Sequence, residues 1–96
     1  MSSIKQVIEN MAELELFESQ YELSEFWFGR GKSYVSSMKC RNRRISTEAL
    51  LHLSRRLTEM AGTFEKSQIG SMRDRAEPMV IFASEIEKEI DLRLLS

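Results

Sequence analysis

The stretch that decides the fold runs from Ser19 to Leu57, SQYELSEFWFGRGKSYVSSMKCRNRRISTEALLHLSRRL. Its apolar residues recur at helical spacing and its small residues punctuate them. Tyr21–Phe28 reads as a short helix with Leu23, Phe26 and Trp27 apolar, closed by Gly29, which can adopt the left-handed conformation of a helix end. Ser33 is placed to cap the next helix, which runs to about Cys40. Val35 and Met38, three apart, share one face of it. Ser33, Ser36, Ser37 and Cys40, all small, lie opposite. After the polar link RNRR, Ser46 caps a third helix with Glu48 in its first turn, where the dipole favours an acid. Ala49, Leu50, Leu53, Leu57 and Met60 then form an apolar stripe that continues to about Phe64.

The flanks read the same way. Ile4, Val7, Ile8, Met11 and Leu14, with Phe17 near the end, predict a first helix over about Ser3–Glu18. Glu65–Ser71, bracketed by Gly62 and Gly70, reads as a joint. A last helix starts between Arg73 and Pro78, proline being tolerated in a first turn, with Met79, Phe82, Ala83, Ile86, Ile90 and Leu94 on one face. No strand pattern, repeat or low-complexity tract interrupts this. The expected fold is all-α, about five helices in a single domain over residues 1–96, with a core unit at about 19–64 and an extra C-terminal amphipathic helix at about 73–95.

Composition narrows the function classes. The 96 residues are 42% hydrophobic and 30% charged, which is ordinary for a globular domain in water. No apolar run approaches the ~20 residues of a membrane span. The N-terminus is acidic and amphipathic, unlike a signal or transit peptide. A single cysteine, Cys40, allows no internal disulfide and suits a reducing, cytoplasmic setting. The net charge of −1 conceals an uneven distribution. Residues 1–25 carry Lys5 against Glu9, Glu13, Glu15, Glu18, Glu22 and Glu25. Residues 26–47 carry Arg30, Lys32, Lys39, Arg41, Arg43 and Arg44 with no acid. Polyanion binding depends on such local potential rather than on the total. The plainer reading is a solvated basic loop.

Catalytic chemistry is not indicated, and the expectation is a non-enzyme without cofactor, metal or small-molecule effector. Gly31-Lys32-Ser33 looks like the tail of a phosphate loop, but the motif's first glycine would fall at Phe26 and no strand precedes it. Cys40 and His52 are too few for a zinc site of such ligands. His52, on the helix of Leu50 and Leu53, reads as structural. Glu85, Glu87, Glu89 and Asp91 read as the wet side of an amphipathic helix.

The helix from Ser33 suggests a use. A small, polar outer face lets a helix backbone approach base edges in the major groove of DNA. Lys32 stands at its N-terminal end, and Arg41, Arg43 and Arg44 follow it towards flanking phosphates. The segment 19–57 resembles the helix-turn-helix of phage-repressor-like (Cro/C1, Xre-type) regulators. The matching elements are Gln20, Leu23-Ser24, Gly29, Ser33-Tyr34-Val35-Ser36, Ile45-Ser46 where that family usually has Pro-Ser, and Leu50, Leu53 and Leu57. Three positions depart from the pattern. One extra residue precedes Gly29, Lys39 stands where an acid is common, and Arg41 where glycine is common. The pattern WFGR–SYVSSMK is also similar to a small family of uncharacterised bacterial proteins, a likeness that carries no function.

The repressor resemblance implies sequence-specific binding of double-stranded DNA by a small transcriptional regulator. Gln20 would anchor a phosphate at a helix N-terminus, and Lys32, Ser33, Ser36 and Ser37 would face base edges. Tyr34, Lys39, Arg41, Arg43 and Arg44 would hold the backbone, with core packing the alternative for Tyr34. Such regulators commonly pair as twofold dimers. The stripe Met79, Phe82, Ile86, Ile90 and Leu94 would then be the homodimer interface, or else it closes the core of one chain. The rival reading of the whole chain is a protein–protein interaction module without DNA contact, such as a small adaptor or inhibitor.

Overall fold

Two long helices pack along each other, and the rest of the chain packs around them. The computed structural model describes residues 4–41 and 44–95. Its elements are all helices: α1 (Ile4–Glu13), α2 (Gln20–Glu22 continuing into a π-wound turn, Leu23–Trp27), α3 (Tyr34–Arg41), α4 (Thr47–Glu65) and α5 (Gly70–Leu95). The all-α class with five helices is as the periodicity predicts.

The helices α4 and α5 form an antiparallel hairpin. Leu50, Leu53, Leu57 and Ala61 from α4 join Met79, Phe82, Ala83, Ile86 and Ile90 from α5 in one buried cluster. Fully burying each large aliphatic side chain stabilises by about 1.5–3 kcal/mol, so this seam is a large part of the cohesion, continued by Ile4, Val7, Met11, Leu23, Trp27 and Phe28 in the same cluster. The cap of α4 is as expected: the Ser46 hydroxyl accepts the Ala49 N–H at 3.2 Å. The start of α5 is not. The helix begins at Gly70, so Pro78 lies inside it rather than in its first turn. Proline leaves the carbonyl of residue i−4, here Asp74, without its usual helical donor.

The first helix ends earlier than its apolar pattern suggests. Leu16 N–H bonds the Met11 carbonyl at 3.2 Å and Glu15 N–H bonds Ala12 at 3.0 Å. That pair of bonds is a Schellman close, with buried Met11 and Leu16 as its hydrophobic contact. The left-handed residue is Glu15, φ 55°, where glycine is the usual signal. Arg75 of α5 donates to the carbonyls of Leu14 (2.6 Å) and Glu15 (3.0 Å), supplying charge-assisted partners to that helix end.

In α2 the Ser19 hydroxyl accepts the Glu22 N–H at 3.1 Å. From Leu23 the winding widens to i→i+5, with Phe28 N–H on the Leu23 carbonyl at 3.1 Å. A π turn takes up one more residue than an α turn, so the segment before Gly29 holds one residue more than α winding would. The wider turn buries Leu23, Ser24 and Trp27 together. Trp27 donates its indole N–H to the Leu16 carbonyl at 3.2 Å and so ties the α1–α2 connection down.

Candidate nucleic-acid interface

The turn between α2 and α3 is set by contacts that the local sequence only partly announces. Gly29 takes φ 64° and ends α2, and Arg30 N–H reaches back to the Ser24 carbonyl at 2.9 Å. A Cβ on Gly29 would stand 2.6 Å from the His52 ring, so glycine is required there twice over. His52 has its Nδ1 3.0 Å from the Trp27 carbonyl. A carbonyl only accepts, so Nδ1 carries the hydrogen in this contact. The histidine is half-buried and closes the C-terminal end of α2, the structural role expected of it.

Ser24 then joins the two helices of the unit. Its buried hydroxyl accepts the Val35 N–H at 3.1 Å. Ser33 occupies the cap position, its carbonyl accepting Ser37 N–H at 2.9 Å. One of the open donors in the first turn of α3 is thus satisfied from α2. Nothing in the sequence marks Ser24 for this task, because the pairing spans eleven residues and depends on the π turn.

With its entry fixed, α3 is sorted as the wheel predicts. Val35 is fully buried and Met38 half-buried, while Ser33, Ser36, Ser37 and Cys40 are exposed. Lys32, Lys39 and Arg41 are exposed as well, but Lys39 lies to the side, lining a hollow with Lys5, Ile8 and Glu9 of α1. Gln20, at the start of α2, accepts a hydrogen bond from the Ser36 hydroxyl at 2.9 Å, so these two residues meet on one outer surface.

The remaining residues singled out from sequence fall elsewhere. Tyr34 packs its ring against Phe28 at 5.6 Å, and its hydroxyl is buried with no hydrogen-bond partner among the described residues. It is a packing residue here, because an enclosed hydroxyl cannot reach a phosphate. Arg44 is exposed but turns to Glu89 of α5 at 3.4 Å. Arg30 pairs with Glu48 at 3.2 Å and bonds the Ser46 hydroxyl. Both carboxylates come from outside the acid-free stretch and soften its charge. Arg43 lies outside the described residues. Arg93, which sequence reading missed, pins the link before α4 by donating to the Ile45 carbonyl at 2.6 Å and Thr47 Oγ1 at 3.3 Å.

The expected dimer interface is corrected by burial. Met79, Phe82, Ile86 and Ile90 are each at most 4% exposed within one chain, packed against α4. They close the core of a single chain and are not available to a second. Leu94 alone of that set is exposed. Among the described residues no group of three or more metal-ligating side chains comes together, and no helix is long and apolar enough to cross a membrane. The geometry therefore offers one small, polar, basic-edged helix surface on α3, braced from behind by α2.

Against known proteins, a family model described as a family of unknown function (DUF6626) matches residues 4–94, so the chain belongs to that family. No curated protein and no solved structure matches it.

Proposed function

We propose that this member of the DUF6626 family binds double-stranded DNA as a small helix-turn-helix regulator, with α3 in the major groove. The observation that carries the reading is the outer face of α3. It presents Ser33, Ser36 and Ser37 to solvent, with Lys32 before its first turn and Lys39 and Arg41 exposed in its last, Lys39 on the side towards α1. Small side chains allow the backbone close to the base edges, and the flanking cations meet phosphates on either side. Serines discriminate bases weakly, so DNA shape carries much of the specificity. Gln20, already on that surface through Ser36, adds a polar contact at the start of α2. The pairing of Arg30 and Arg44 leaves Lys32, Lys39 and Arg41 as the main electrostatic contribution.

A single short reader gains from twofold pairing, which sets two reading helices about one turn of DNA apart. Leu92, Leu94 and Leu95, 65–85% exposed at the end of α5, form the surface this reading assigns to a second copy. Sedimentation of a Leu94→Glu/Leu95→Glu variant checks it: a dimer that becomes a monomer supports the pairing, and an unchanged state refutes it.

DNA binding itself is tested by anisotropy of a labelled duplex of mixed sequence. With about three to four phosphates neutralised, log affinity should fall against log salt with a slope near −3. Lys39→Glu/Arg41→Glu should abolish binding with an unchanged helical spectrum. Equal binding by that variant defeats the reading.

A further inference from the structure

Away from α3, the junction of α1 and α5 forms a groove of about 360 Å³. Its apolar lining comes from Leu14, Pro78 and Ile81, with Phe82 beneath. Ile81 is 54% exposed, an unusual place for a large aliphatic side chain beside a formed hollow. The rim is made of Glu13, Asp74, Glu77 and Glu85, and no lysine or arginine lines it among the described residues. On α5 these positions follow the i, i+3, i+4, i+7 rule, so apolar and acidic groups belong to one continuous stripe. Four carboxylates around an apolar floor make the lining acidic, the nearby Arg75 guanidinium being engaged by the Leu14 and Glu15 carbonyls, and a concave wall concentrates that field.

We propose that this groove receives a cationic amphipathic helix of a partner protein. The partner inserts a bulky apolar side chain between Pro78 and Ile81 and sets lysines or arginines against Glu13, Asp74, Glu77 and Glu85. Charge complementarity selects the occupant. Nucleic acid and acidic peptides are repelled, whereas a basic helix satisfies both parts of the stripe at once, its apolar face in the groove and its cationic side chains on the rim. The site shares no residue with the proposed DNA surface, so the two stand or fall separately.

The test uses the full chain and a labelled helical peptide of leucine and lysine, with oligolysine of equal charge as the control. The leucine–lysine peptide should bind, and oligolysine about tenfold or more weaker. Glu77→Lys/Glu85→Lys and, separately, Ile81→Ser should each weaken the peptide about tenfold while circular dichroism and the thermal transition hold. All four α5 and α1 rim acids are exposed, so these changes leave the core alone. No binding, equal affinity in either variant, or equal binding of oligolysine overturns the proposal. So does a self-association of the wild type that Ile81→Ser abolishes, since the groove would then seat a second copy.

Discussion

The α4–α5 hairpin and the α2–α3 unit are held together by different means. The hairpin is a wide seam of leucine, isoleucine, methionine and phenylalanine, in which many interchangeable contacts add up. The α2–α3 unit buries Leu23, Trp27 and Phe28 from its first half but only Val35 fully from α3, so the placing of α3 leans on directed contacts: Ser24 to Val35, His52 to Trp27, and a glycine at φ 64°. Area burial tolerates variation at any one point, whereas a directed bond fails whole when one partner is lost. A helix fixed by a few bonds at its back also keeps its front free of apolar side chains. That is the property a groove-reading surface needs, and it separates the part that stabilises the chain from the part proposed to recognise DNA.

The comparison can be broken most severely at the seam. Ile86→Glu places a carboxylate in the fully buried cluster and should cost more than about 4 kcal/mol, enough to abolish the cooperative thermal transition. A folded, cooperative variant would show that Ile86 is not core. Next is Gly29→Ala, which combines a left-handed residue with a Cβ against the His52 ring and should cost about 2–4 kcal/mol in denaturant unfolding. Adding His52→Ala should recover only part of that loss, because the backbone cost remains after the clash is removed. Ser24→Ala leaves the buried Val35 N–H without its acceptor and should cost about 1–2 kcal/mol, with faster amide exchange at Val35. The smallest stability effect belongs to Lys39→Glu/Arg41→Glu, within about 0.5 kcal/mol, although this pair should remove DNA binding.

The two regions also differ in how far they were legible. The hairpin could be read because apolar periodicity survives any change of neighbour: Leu50, Leu53 and Leu57 face Met79, Phe82 and Ile86 as their spacing implies. The sorting of α3 was legible for the same reason, with Val35 inside and Ser36 and Ser37 outside. Boundaries that depend on unusual backbone states were not. Glu15 closes α1 in a conformation that glycine normally signals, and no residue type announces the i→i+5 winding of Leu23–Trp27. Ion pairs between distant segments, Arg30 with Glu48 and Arg44 with Glu89, had no local mark, so the basic stretch read as more strongly charged than its folded surroundings leave it. The apolar face of α5 was legible as a stripe but not its occupant, since the same pattern serves a core or an interface.

The central claim, that α3 is the surface that meets DNA, is tested most directly by following backbone amide resonances as a mixed-sequence duplex is added at low salt. The account predicts that shifts concentrate in Gln20 and Gly31–Arg41, while the amides of α5 from Glu77 to Glu85 stay in place. Duplex binding that leaves α3 unmoved, or no binding at all, would contradict it.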